Sequence, residues 1–209
     1  GASSSIVAEK GETVLSEIST SLNLDTTDNQ RLPTEGYVLS ISSAFAGLAG
    51  DKDFLRIKNN GNYYHAFNDE AIIMNLEYDV GVIMGLGQDI LISDRYFLGG
   101  NSFRGFDQSG IGPRDKNNSD SLGGNIFYTS SIKASFGIGL PPELGIKANW
   151  FATIGSLTGV DKSAVSFHDD SSIRMSSGVG LSWNSPFGPI SIIFSQAIIK
   201  EDYDKTESV

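Results

Sequence analysis

The segment Leu144-Gly145-Ile146-Lys147-Ala148-Asn149-Trp150-Phe151-Ala152-Thr153-Ile154 alternates between two kinds of side chain. Every even-numbered residue is apolar, whereas the odd-numbered set includes Lys147, Asn149 and Thr153. Because successive side chains of a strand point to opposite faces, this period of two predicts a β-strand with two unlike faces. The segment therefore favours a sheet as the basis of the fold.

The same alternation recurs along the chain and predicts about eight strands, with no convincing helix. The predicted strands cover Val14 to Asp25, Tyr37 to Phe45, Phe54 to Tyr63, Ile72 to Ile83, Asn125 to Phe136, Leu144 to Ile154, Ser172 to Trp183 and Ile190 to Ile198. Clusters of Asn, Asp, Gly and Pro mark turns, and Asn59-Asn60-Gly61-Asn62 is expected to form one of them. Short connections favour antiparallel neighbours.

The composition argues against several functional classes. The formal net charge of −10 repels nucleic-acid phosphates, so nucleic acid is not an expected partner. The absence of cysteine excludes thiolate metal sites, and His65 and His168 lie in no recognised catalytic arrangement. No apolar run reaches the roughly 20 residues that a membrane-spanning helix needs. The sequence therefore predicts no enzyme, no metal site and no cofactor.

Alternation alone does not say whether the apolar faces meet a protein core or lipid. A soluble β-sandwich would bury them, whereas a membrane barrel would turn them outward. The opposite faces of residues 125–136 and 172–183 carry mostly Ser, Gly, Asn and isolated charges. Such faces suit the crowded lumen of a barrel better than a solvated surface. A transmembrane β-barrel is therefore the favoured fold, and the soluble sandwich is the alternative.

One connection, residues 87–123, is much longer than the others. It contains Leu98-Gly99-Gly100-Asn101-Ser102-Phe103-Arg104-Gly105-Phe106, followed by Gly110-Ile111-Gly112-Pro113-Arg114-Asp115. Glycine and proline at this density specify a backbone that most residues reach only at a cost. Long connections of this kind are usually functional or disordered. The loop is therefore the candidate functional site.

The loop resembles the arginine-glycine-phenylalanine loop of the BamA family of outer-membrane assembly barrels. A second stretch, Ser172-Ile173-Arg174-Met175-Ser176 through Ser185-Pro186-Phe187-Gly188-Pro189, is similar to the penultimate hairpin of that family. With a family-like turn at Leu32-Pro33-Thr34-Glu35-Gly36, the resemblance covers nearly all of residues 1–209.

The resemblance implies an all-β fold, an antiparallel transmembrane β-barrel fragment with a long inward-folding loop. Residues 1–209 would supply about eight strands, the eighth to the fifteenth, of a sixteen-stranded barrel. The final strand, its terminal aromatic residue and the periplasmic repeat domains of the family are expected to be absent. The chain stops at Lys205-Thr206-Glu207-Ser208-Val209, where the last strand should begin.

The resemblance also implies that the arginine matching Arg104 meets acidic residues of the inner wall. Lys133 and Thr153 occupy the positions aligned with those acids, so the usual ion pair cannot form. Because a charge in a constricted lumen needs a counter-charge or solvent, two alternatives are open: acceptors at Glu77 and Asp79, or hydration of Arg104. The expected site residues are Phe103, Arg104, Gly105 and Phe106 of the motif, supported by Gly99, Gly100, Gly112, Pro113 and Arg114.

The implied function is assembly and insertion of β-barrel proteins into the bacterial outer membrane. The implied partners are client outer-membrane proteins, accessory outer-membrane lipoproteins and the lipid bilayer. The step would be conformational: a weak seam between the first and last strands of the barrel templates an incoming strand. Two alternatives are a related barrel transporter for protein secretion, TamA-like or of the two-partner type, and a passive porin-like pore.

Overall fold

A computed structural model describes residues 3–69, 71–161 and 166–207. Gly1, Ala2, Ser208 and Val209, at the two ends of the expected fragment, lie outside the described residues. The strands are β1 (Glu17–Asp25), β2 (Gly36–Ala46), β3 (Phe54–Phe67), β4 (Ile72–Gly85), β5 (Arg114–Asp115), β6 (Ile126–Gly137), β7 (Ile146–Thr158), β8 (Phe167–His168), β9 (Arg174–Ser185) and β10 (Gly188–Ile199).

Eight of these strands form a single antiparallel sheet in the order β1-β2-β3-β4-β6-β7-β9-β10. Each strand of this sheet pairs with the next along the chain, while β5 and β8 form a separate two-residue ribbon. The predicted all-β antiparallel fold is confirmed, and the eight predicted strands match these eight within a few residues at each end. The described sheet is open, with β1 and β10 at its edges.

Two expectations about local structure are wrong. Asn59 to Asn62 forms no turn but lies inside β3, because its polar groups are satisfied within the wall: the Asn59 amide donates to the Ser40 carbonyl at 2.9 Å and accepts from the Tyr78 hydroxyl at 2.8 Å. Helical structure is also present, as the five-residue helix α1 (Ser4–Ala8) and three 3-10 helices at Ile92–Asp94, Gly100–Ser102 and Pro142–Leu144. None of the described helices has the length and apolar character needed to cross a membrane.

The two faces of the sheet differ as the alternation predicts. Large apolar side chains on one face stay exposed, among them Trp150, Ile154, Val179, Leu181, Trp183 and Ile190. The other face carries small polar and charged residues and packs against the long loop. A continuous exposed apolar band on one face and a polar concave face are typical of a membrane barrel wall.

The long loop between β4 and β6 lies on this polar face and supplies most of the core. Leu98, Phe103, Phe106 and Ile111 of the loop pack with Phe127 of β6 and Leu157 of β7, and all six are nearly or fully buried. The alternating strands alone would leave this face open. The loop is therefore a structural part of the core on the inner side of the sheet.

Strand β10 breaks its regular pairing near its end. Ala197 pairs with Ser176 of β9, but the next pair is Ile199 with Met175, so that Ile198 is an extra residue. Such a bulge bends the strand and changes which side later residues face. The segment after β10, residues 200–207, turns back over the polar face and reaches the loop.

Candidate functional site

The two phenylalanines of the motif attach the loop to the inner wall. Phe103 and Phe106 contact each other edge to face, with ring centroids 5.2 Å apart and an interplanar angle of 88°. Phe103 lies against Gly155 of β7, where an added Cβ would be 3.0 Å from the ring. Because both rings are almost completely buried, their removal from water favours the inward position of the loop.

Gly105 of the motif lies close to the backbone of β10. Its φ of +89° lies in the left-handed region, and a Cβ at this position would come within 2.9 Å of the backbone of Gln196 and Ala197. Both the conformation and the space therefore require glycine here. The contact lies directly beside the bulge at Ile198, so the motif and the irregular end of β10 meet at one point.

The supporting residues of the loop are also close to the wall. Gly99, Gly100 and Gly112 all have positive φ, and Gly112 approaches the Leu157 side chain. Pro113 is buried and its carbonyl accepts from the Leu122 amide at 2.9 Å. The glycines and the proline thus set the path of a loop that has little regular structure.

Arg114 is almost fully buried, and its side chain forms hydrogen bonds within the long loop. Its guanidinium donates to the Ser119 carbonyl at 2.9 Å and to the Ser109 carbonyl at 2.5 Å. Burial lowers the pKa of Arg114 from its ordinary value, while the carboxylates of Asp204, Asp107 and Asp120 act in the opposite direction. Arginine stays protonated in proteins, so these bonds are charge-assisted.

Arg104, the central residue of the motif, is half-buried between two cavities on the inner side of the wall. Its Cζ atom lies 5.8 Å from the centroid of the Phe151 ring, within the range of a cation–π contact. Among the described residues, no carboxylate oxygen lies within 4.0 Å of its guanidinium. The charge is therefore held by an aromatic face and by solvent access.

The proposed alternative acceptors of Arg104 have other partners. Glu77 and Asp79 do lie on the inner face, but Glu77 binds the Lys133 ammonium and Asp79 binds Lys58 at 2.9 Å. Thr153 shares a hydrogen bond of 2.8 Å with the Ser131 hydroxyl. The structure thus brings Glu77, Lys133 and Thr153 to the same cavity as Arg104 without the expected ion pair.

The segment after β10 is a part of the site that the sequence did not predict. Thr206 forms an antiparallel bridge with Phe106, the Asp107 amide donates to the Lys205 carbonyl at 3.0 Å, and the Lys205 amide donates to the Gly110 carbonyl at 3.0 Å. This short ladder continues the backbone contacts of the motif. Residues 205–207 thereby hold the motif through backbone hydrogen bonds.

A buried ion pair anchors that segment. Arg174, at the start of β9, donates from Nε to Asp204 at 3.0 Å, and both side chains are completely withdrawn from solvent. Its other nitrogens donate to the Tyr203 hydroxyl at 2.9 Å and to the carbonyls of Asp170 and Ser172. The polar face predicted for residues 172–183 placed Arg174 correctly, but no local signal pointed to Asp204.

The whole chain matches a known family. A sequence profile described as the Omp85 superfamily domain matches residues 2–209. The chain belongs to the Omp85 superfamily. Its predicted resemblance to the BamA family is confirmed, and it is accordingly part of an outer-membrane β-barrel.

Several Omp85-type relatives show how far the likeness extends. The chain is 37% identical over 206 residues to the outer membrane protein assembly factor BamA of Neorickettsia risticii. This match covers 98% of the present chain and 28% of that protein. The chain is 28% identical over 218 residues to a SAM50-like protein of Schizosaccharomyces pombe, covering 97% and 44% of the two chains. The chain therefore spans less than half the length of these relatives.

The fold agrees with a solved Omp85-type barrel. The crystal structure of BamA from Haemophilus ducreyi lacking POTRA domains 1-3 superposes with a TM-score of 0.82 at 20% identity, over 92% of this chain and 40% of that one. Elsewhere in the chain, no group of three or more His, Asp or Glu side chains among the described residues could hold a metal ion. The loop and its surroundings remain the candidate functional site.

Proposed function

We propose that this Omp85 chain is part of a barrel that assembles and inserts β-barrel proteins into the bacterial outer membrane. The observation that carries the proposal is the likeness along the entire chain to a protein named as an outer membrane protein assembly factor. The docked Arg-Gly-Phe motif supports it, because the loop, the inner wall and the segment after β10 meet at residues 103–107.

The proposed partners are client outer-membrane proteins, accessory outer-membrane lipoproteins and the lipid bilayer. Contact with lipid is supported by the exposed apolar residues on the outer face of the sheet, which would otherwise face water. Client strands are expected to add to an open sheet edge, since main-chain groups at an edge can bind any sequence.

We also propose that the protein acts without covalent catalysis. His65 lies beside Glu35 at 3.1 Å, and His168 stacks on Tyr203 with centroids 4.6 Å apart. Within the described residues, neither imidazole is hydrogen-bonded to a serine or threonine hydroxyl, which a nucleophilic site would need. The proposed work is conformational.

The proposal is tested with the complete barrel protein that contains this chain. Reconstituted in lipid vesicles, it should accelerate folding of an added unfolded outer-membrane protein relative to empty vesicles. Deletion of residues 99–112 should remove the acceleration. Ion conductance without acceleration would instead support the porin-like alternative, and export of a soluble substrate without acceleration would support the secretion transporter.

A further inference from the structure

A guanidinium and a carboxylate face the same cavity on the inner side of β10. The cavity has a volume of about 350 Å³ and is lined by the motif, by Ser191 and Ser195 of β10 and by Glu207. Arg104 and Glu207 are the charged residues among those that line it. Within the described part of the chain, neither side chain forms an ion pair or hydrogen bond.

Two other carboxylates near the motif are already engaged. Glu77 is bound to Lys133, and Asp204 is bound to Arg174 inside a pair with no solvent exposure. Removing either from its cation would leave that cation without its partner, which is costly when the cation is buried. Glu207 has no such competing bond and lines the same cavity as Arg104, so it can turn toward Arg104 without breaking another contact.

The backbone already places Glu207 next to Arg104. Phe106 is bridged to Thr206, and the Glu207 amide donates to the Gly105 carbonyl at 3.3 Å. In an antiparallel pair Glu207 therefore opposes Gly105, the residue that follows Arg104 in the chain. The side chains of Arg104 and Glu207 both line the same cavity.

We propose that Glu207 is the counter-charge of Arg104 and that it positions the Arg-Gly-Phe motif on the inner wall. The ion pair forms when the two side chains turn into the shared cavity. It makes the position of the loop depend on the segment after β10, so movement of either one changes the other. Its relevance to insertion rests on the proposed function, although the contact itself does not.

The absence of cysteine from the chain allows a clean reporter of this contact. Asp107 and Lys205 oppose each other in the ladder, so Asp107→Cys with Lys205→Cys should form a disulfide when the motif is docked. The rate of this oxidation is measured in the complete barrel protein without any client. Client folding is measured separately, so failure of the ion pair and failure of the proposed function are distinguishable.

Five variants test the proposal in the reporter background. Glu207→Gln should slow oxidation about two- to fivefold, as expected for loss of a partly exposed ion pair. Glu207→Asp should restore most of the rate, and the swap Arg104→Glu with Glu207→Arg should restore it better than Arg104→Glu alone. Asp202→Asn removes one negative charge from the same segment at an exposed site and should leave the rate unchanged.

Two results would overturn the proposal. One is an equal rate in Glu207→Gln and Asp202→Asn, which would show that Glu207 does not hold the motif. The other is a charge swap no faster than Arg104→Glu alone, which would show that the two charges do not act on each other.

Discussion

Arg174 and Arg104 both contact the inner wall, yet their surroundings differ. Arg174 is completely buried, and every part of its guanidinium has a partner: a carboxylate, a phenol hydroxyl and two backbone carbonyls. Arg104 is half-buried and has an aromatic ring but no carboxylate within 4.0 Å in the described chain. The first arginine fixes a segment, and the second is left free to exchange partners.

The difference shows how burial and counter-charge go together. Complete burial of a charge costs several kcal/mol unless good geometry and extra hydrogen bonds compensate for it. Arg174 meets that condition because Asp204 and Tyr203 come from the same short segment. At Arg104, where no carboxylate oxygen of the described chain lies within 4.0 Å, the side chain keeps access to water.

Asp204→Asn should have the largest effect, because it leaves the Arg174 charge buried without its counter-charge. We expect a loss of about 3–5 kcal/mol in the free energy of unfolding. The measurement is denaturant unfolding of the barrel protein in detergent micelles. As a control, Arg174→Met combined with Asp204→Leu removes both charges and should lose less than the single variant. A single variant as stable as Asp202→Asn would show that the pair is not needed.

Gly105→Ala should have the next largest effect, because it tests the contact of the motif with β10 rather than its charge. The new Cβ would meet the backbone of Gln196 and Ala197 at 2.9 Å, and φ is +89°. Backbone strain of this kind costs on the order of 1–3 kcal/mol. Gly137→Ala is the matched control, since its Cβ would meet nothing within 4 Å. Equal losses in the two variants, measured by denaturant unfolding, would refute the close contact.

Thr153→Glu should make the Arg104 site more like the Arg174 site. Thr153 lines the cavity that also contains Arg104, so a carboxylate there can supply a counter-charge from the wall itself. Thr153→Glu should destabilise the protein less when residue 104 is arginine than in the Arg104→Gln background. The expected coupling free energy between the two positions is about 1 kcal/mol. Thr153→Gln has a similar size but no charge, and its effect should not depend on residue 104. A double-mutant cycle on unfolding free energies measures both.

The smallest effect concerns a carboxylate that is stabilised by donors other than arginine. Asp28, in the turn between β1 and β2, accepts from the amides of Glu35 and Thr34 and from the Thr34 hydroxyl, which lowers its pKa from 3.8 to about 2. Because the folded pKa is the lower one, this stabilisation is complete above the unfolded pKa and is lost as the pH falls toward about 2.

Asp28→Asn should therefore lower the unfolding midpoint slightly near neutral pH, and the difference should vanish below the folded pKa. Unfolding midpoints of the variant and the parent protein across this acid range test the prediction. The control is Asp69→Asn, at a group of the β3–β4 turn with no side-chain bond in the described structure. A gap between Asp28→Asn and the parent protein that does not shrink with acid would contradict it.

The strands could be predicted because their signal is local. In β7 the even-numbered apolar residues from Ile146 to Ile154 face outward, and the odd-numbered residues between them face the loop. Such a pattern can be predicted because each face of the strand has the same surroundings along its whole length. The shape of the loop was also partly predictable. Its glycines indicated unusual backbone conformations, and Gly105 adopts one.

The partners of individual charges could not be predicted in this way. Alternation placed Glu77 and Asp79 on the correct face, but it did not give the register between strands. That register brings Lys133 diagonally next to Glu77 and Lys58 diagonally next to Asp79, so both acids are engaged before the loop reaches them. The Arg174 and Asp204 pair joins residues 30 positions apart. Such contacts depend on the fold of the entire chain.

The bulge at Ile198 changes the phase of the chain by one residue. Up to Ala197, odd-numbered residues of β10 face the loop; beyond it, Ile199 pairs with Met175 on the outer face. Removing Ile198 would delete one apolar side chain, but it would also rotate every following residue by half a period. Tyr203 and Asp204 would then leave the strand with the opposite orientation. The single extra residue thus reverses the alternation of side chains after it, and so sets the direction in which the segment returns to the inner side of the sheet.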